Sequence, residues 1–132
     1  MTDASMPTES WRLTIGTIPS YDIGTQEGLS PQVFAALCRE CAETVFEETG
    51  VYISANLTPA RSLYRGEWGC PEGGEPVYML SAVRNPLFCE KNAYDAALDA
   101  FVRLLKRRLK QRTAYLERWP VSFDYYRDEE QA

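Results

Sequence analysis

The chain contains no histidine. That absence removes the commonest general acid/base and the commonest metal ligand. Ser–His and Cys–His nucleophile pairs are excluded with it, so any chemistry falls to Lys, Glu, Asp, Tyr or Cys. There is no apolar run long enough to cross a bilayer, so no membrane partner is expected. No apolar N-terminal segment follows a basic one, so no secretion signal is read. Without such a signal the four cysteines read as reduced thiols, and the expected compartment is the cytoplasm. Glycines 24, 28, 66, 69, 73 and 74 lack the strand–Gly-x-x-x-x-Gly-Lys–helix context of a phosphate loop. Positive charge is also short, with 14 Lys and Arg against 19 Asp and Glu and a net charge of −5. An acidic balance argues against nucleic acid as a partner, since nucleic-acid binders carry a basic footprint.

What is present is ordinary globular composition, 45% hydrophobic and 25% charged over 132 residues. That length suits one domain with a core that needs no metal or disulfide staple. The charge is bipolar. Glu40, Glu43, Glu47 and Glu48 crowd one candidate helix, while Arg103, Lys106, Arg107, Arg108, Lys110 and Arg112 crowd another.

The first ten residues are polar and aperiodic and read as a flexible tail, with a single α+β domain over 11–127 and an acidic tail at 128–132. Alternation from Trp11 to Ile18 predicts a half-buried strand, and residues 19–28 a loop. Ser30-Pro31 is a helix start, with Ser as N-cap and Pro at the first position. Phe34, Leu37, Cys38, Cys41, Ala42 and Val45 form its apolar stripe up to Gly50. Val51 to Leu57 alternates again, with a break expected at Pro59 and resumption over Ser62–Trp68. Gly73-Gly74 marks a hairpin tip before a strand at Val77–Val83. Asn92 and Asp95 resemble a capping pair. The second helix, striped by Tyr94, Ala97, Leu98, Phe101, Leu104, Leu105 and Leu109, should run to about Gln111. An aromatic strand over Tyr115–Tyr126, kinked at Pro120, closes the chain. The order β-α-β-β-α-β is the ferredoxin-like pattern, two helices on one face of an antiparallel sheet. Gly66-Glu67-Trp68 with Gly73-Gly74 resembles the hairpin of small ferredoxin-like domains, which implies that fold and no particular activity.

Several residue sets invite a function. Cys38-x-x-Cys41 with Cys70 and Cys89 has thiolate spacing of the kind zinc uses. Cys38 and Cys41, however, lie mid-helix on an apolar stripe, where free cysteine behaves as a small hydrophobe. No metal or other cofactor is therefore expected. Lys106, Arg107 and Lys110 could touch phosphate, although cations near a helix C-terminus are favoured by the macrodipole in any case. Arg61, Tyr64, Arg65, Glu67, Trp68 and Tyr78 supply interface-type anchors on the hairpin. Asp22 and Glu27 sit in a loop that could line a ligand pocket.

These features favour a small acidic, non-catalytic interaction protein. It would form a homodimer, or bind or inhibit another macromolecule by charge complementarity, as proteins carried by phages or mobile elements can. The alternative is a small-molecule or enzymatic domain with a pocket between sheet and helices. A further alternative is nucleic-acid contact through the basic helix, which salt would weaken.

Overall fold

The computed structural model describes residues 5–19 and 28–128. Asp22 and Glu27 lie outside the described residues, so their expected role in a ligand loop has no structural counterpart here. The order is β1 (Met6–Gly16), α1 (Pro31–Thr49), β2 (Asn56–Ser62), a 3-10 turn (Gly66–Trp68), β3 (Glu75–Val83), α2 (Lys91–Arg108) and β4 (Tyr115–Phe123). The four strands form one sheet in the order β2-β3-β1-β4, with every neighbour antiparallel. This is the expected ferredoxin-like α+β fold.

The core lies between one sheet face and the two helices. Leu13 pairs across to Leu80, Trp11 to Ala82 and Ile15 to Tyr78, so period-2 alternation puts one apolar row under the helices. From α1 come Phe34, Cys41, Ala42 and Val45. From α2 come Tyr94, Ala97, Leu98, Phe101 and Leu105. The polar ends of buried aromatics find partners, as desolvated donors must. Trp11 Nε1 donates to Tyr94 Oη at 2.7 Å, and Tyr78 Oη donates to the Leu29 carbonyl at 2.7 Å.

Local chemistry sets the element ends. Ser30 Oγ accepts from the Val33 amide, and Gly50 closes α1 in the left-handed region at φ 79°. The cap of α2 is Glu90, whose carboxylate accepts from the Asn92 and Ala93 amides. Asn92 and Asp95 are therefore not the capping pair, and Asp95 binds Lys91 and Arg118 instead. Helix α2 stops at Arg108, short of Gln111. Lys110 takes the left-handed conformation at φ 56°, its amide bonding the Arg107 carbonyl and the Gln111 amide the Lys106 carbonyl. That is a Schellman closure with lysine where glycine is usual.

Four strand expectations change. Residues 6–10 belong to β1 and not to a tail; Thr8 and Ser10 are buried and donate to the Arg84 and Ala82 carbonyls. Strand β2 runs through Pro59, which sits opposite Tyr78, and β4 runs through Pro120, opposite Glu9. Both are outer strands of the sheet, where a missing amide donor is tolerated. Gly66–Trp68 is a 3-10 turn and does not resume β2.

Candidate functional site

The hairpin between β2 and β3 folds back because Gly73 and Gly74 take φ 85° and 92°, conformations that glycine adopts without strain. At Gly74 a Cβ would also lie 2.7 Å from Leu63 Cδ2. The turn brings Tyr64, just past β2, beside Glu75, the first residue of β3. Tyr64 Oη donates to Glu75 Oε1 at 2.7 Å, partly buried. Burial, reinforced by the neighbouring carboxylate that accepts its proton, pushes the Tyr64 phenol up to about 12. Tyr64 therefore stays protonated at neutral pH and acts as a donor.

This pair sits in a cavity of about 560 Å³ at one end of the sheet. The volume is within the range of small-ligand sites. Its wall comes from the end of β1 (Thr14 and Gly16), the start of β3, and the segment from Gln111 to Tyr115 that joins α2 to β4. Gly16 leaves room for two side-chain ends. A Cβ there would lie 2.6 Å from Glu75 Oε2 and 2.8 Å from Gln111 Oε1, so a glycine lets both oxygens approach the same point. Gln111 is fixed by its amide nitrogen, which donates to the Ile18 carbonyl at 2.6 Å and the Leu109 carbonyl at 3.2 Å. Among the described residues, Tyr64 is the one hydrogen-bond partner of the Glu75 carboxylate.

The hairpin candidates do not form one surface. Tyr64 joins the cavity. Tyr78 is a core residue, stacked on Phe34 with ring centroids 4.2 Å apart and an interplanar angle of 11°. Arg61 donates to the Gly74 carbonyl, Arg65 pairs with Glu67 at 3.0 Å, and Trp68 projects into solvent. Of the basic residues on α2, Arg107 and Lys110 are exposed and Lys106 is half-buried. The neighbouring Arg103 and Arg108 are paired with Asp99 and Glu40.

The cysteines do not converge. Cys41 is buried in the core, with Cys38 beside it. Burial pushes the Cys38 thiol up to about 12 and raises Cys41 as well. Among the described residues no group of three or more Cys, Asp or Glu could hold a metal ion. An apolar cavity of about 310 Å³ does lie between helices and sheet, lined by Cys38, Ala42, Ile53, Leu57, Leu80 and Phe101. Its lining holds no carboxylate. Among the described residues no helix is long and apolar enough to cross a membrane.

The sequence reading found Tyr64 for a different reason and passed over Glu75, Gly16 and Gln111. The available signal was a Tyr and a Glu on either side of a Gly-Gly turn, which the hairpin must bring together.

The cavity at the end of the sheet, lined by Tyr64, Glu75 and Gln111, is the candidate site. Two solved structures share the fold at 12% identity. One is a phage SAM lyase in complex with S-methyl-5'-thioadenosine, TM-score 0.59, covering 89% of this chain and 88% of that one. The other is a phage SAM lyase in the apo state, TM-score 0.57, covering 92% and 91%. No curated protein matches. The model of the SAM lyase family matches residues 6–127, and the chain belongs to that family.

Family membership overturns the expectation of a non-catalytic interaction protein: this is an enzyme. The missing histidine, which carried that expectation, excludes histidine chemistry alone. The enzymatic alternative fits these findings better.

Proposed function

We propose that the chain cleaves S-adenosylmethionine (SAM) in the cavity at the sheet end, releasing S-methyl-5'-thioadenosine. The Tyr64–Glu75 pair carries this reading. It is a carboxylate fixed by a phenol donor, with its second oxygen facing a cavity of ligand size. SAM is cationic at its sulfonium and its ammonium. An anionic oxygen in a partly water-excluded site is the complementary group.

The released thioether retains the adenosyl and methyl groups, so the bond that breaks is the one from sulfur to the γ-carbon of the amino-acid chain. Its electron pair goes to sulfur and neutralises the sulfonium. A lyase adds no water, so the γ-carbon takes its new bond from the substrate's own α-carboxylate, closing a five-membered lactone. Atoms and charge balance with no proton transferred. That suits a site in which the tyrosine stays protonated and histidine is absent. The protein's work is then to fold the substrate chain back on itself and hold it there, where an oriented intramolecular reaction is fast.

Purified protein incubated with SAM should yield S-methyl-5'-thioadenosine by chromatography and the lactone by NMR. Glu75→Gln should reduce the rate by about 100-fold or more. Wild-type rates in that variant would remove Glu75 from the site. A wild-type protein that leaves SAM intact would end the reading.

Self-association belongs to this proposal. Tyr115, Trp119 and Val83 are exposed on the sheet face opposite the helices, beside the Arg12–Glu117 ion pair at 3.0 Å. A second copy is the simplest cover for such a face. Light scattering reads it directly, and a monomer mass would exclude it. Reduced thiols and a metabolite substrate are what a cytoplasmic activity would have.

A further inference from the structure

The Gln111 side chain is oriented by its partners. Both of its amide N–H groups point at carbonyl oxygens, those of Ile18 and Leu109. A flipped amide would set oxygen against two oxygens, so these partners favour the orientation seen. The amide oxygen therefore faces the cavity, and it does so beside Gly16, at the point that Glu75 Oε2 also approaches. Glu75 Oε1 is already engaged by Tyr64. What Glu75 and Gln111 present at that point is a pair of acceptor oxygens, in a cavity that Thr14, Arg112 and Thr113 also line.

The Schellman closure aims this pair. Left-handed Lys110 turns the chain sharply off α2, and Gln111 is the next residue. A non-glycine residue in that conformation costs about 1 kcal/mol or more, and such strain gathers where geometry serves a site.

We infer that Gln111 Oε1 and Glu75 Oε2 together seat the α-ammonium of the substrate, making Gln111 a specificity determinant for the amino-acid end of SAM. The inference rests on the SAM-cleaving reading and extends it. An ammonium is donor-only, so two acceptor oxygens converging on one point suit it. The ribose hydroxyls also need to donate and accept, and this seat would leave their acceptors unused. The sulfonium has no N–H or O–H to give. Holding the ammonium fixes the α-carbon, and with it the carboxylate that must reach the γ-carbon.

The test compares three compounds on the wild-type enzyme and on Gln111→Met, which keeps the length and removes the amide. They are SAM, the SAM analogue with hydrogen in place of the α-amino group, and S-methyl-5'-thioadenosine. The wild type should prefer SAM over the analogue in kcat/KM by roughly 100-fold. Gln111→Met should lose most of that preference, with KM for SAM raised roughly tenfold. Its inhibition by S-methyl-5'-thioadenosine, which has no ammonium, should change by less than about twofold. Equal weakening toward SAM and the thioether would place Gln111 at the ribose and overturn the inference. If Gln111→Met does not fold, the wild-type preference alone decides: an analogue turned over as well as SAM overturns it. A wild-type enzyme that cleaves neither compound would instead strike at the proposed reaction.

Discussion

Two carboxylates stand at opposite ends of the central strands, and they are held differently. Glu9, on β1, meets Arg84 through two bonds, Nε to Oε1 at 2.9 Å and Nη2 to Oε2 at 3.3 Å. Arg84 also donates to the Cys89 carbonyl. Glu75, on β3, is bound on one oxygen by a neutral phenol, and the other oxygen faces a cavity. The first arrangement is closed: both Glu9 oxygens and all three Arg84 nitrogens are engaged. The second is half finished. Buried charge satisfied on all sides holds a fold together, whereas charge left facing a cavity is available for work.

The sharpest way to break the comparison is to neutralise both residues in turn. Glu75→Gln should remove about 100-fold or more of the activity while leaving the melting temperature close to wild type. Arg84→Met should do the reverse, lowering unfolding free energy by about 2 kcal/mol with turnover at saturating SAM retained. Denaturant titration and product release, measured on the same two samples, check both. If both variants lose activity and stability in parallel, the distinction between the ends fails.

Gly16→Ala should cost about 10–100-fold in rate, because the added methyl meets Glu75 Oε2 and Gln111 Oε1. A rate within a factor of about two of wild type would mean that neither oxygen is held there during the reaction.

Acid separates the ends as well. The Arg84 hydrogen bond, opposed by desolvation, holds the Glu9 carboxyl below its ordinary value of 4.5. Its contribution to stability is then complete above that value and disappears as pH falls through the lower folded-state value. Denaturation midpoints should drop below about pH 4.5 in the wild type, and less steeply in Arg84→Met. The Tyr64 phenol, pushed up to about 12, should put no alkaline limb on the pH–rate profile below about pH 10.

The smallest effect is expected outside both ends. Trp68→Ala, at a side chain 74% exposed, should change stability by less than about 0.5 kcal/mol and leave kcat unaltered. A larger change in kcat would return the hairpin surface to the site.

Most of the architecture was legible because its signals are local. Ser30-Pro31, Gly50 and the two helical stripes each act within a few residues of themselves, and β1 and β3 alternate visibly. Residues 6–10 were misread because Thr8 and Ser10 are small and polar. Their burial comes from lying mid-sheet with hydroxyls bonded to a neighbouring strand, which no run of polar letters displays. Pro59 and Pro120 read as breaks in sequence because a proline's tolerance depends on whether its strand lies at an edge, which is a property of the whole sheet. The site was the least legible part. Gly16 has no positive φ to mark it; its need for no side chain exists only once Glu75 and Gln111 arrive from distant parts of the chain. Glu75 was absorbed into turn chemistry, and Tyr64 was singled out for an interface it does not join.

The prolines have a consequence beyond the tolerance that admits them. A sheet whose borders are plain strands offers every copy a template for lengthening itself, and at the concentrations of heavy expression that leads to insoluble ribbons. Here each border strand carries one residue that cannot take part in such lengthening, a recognised guard against runaway stacking. Contacts between copies are thereby steered toward side chains, where they stay finite and selective.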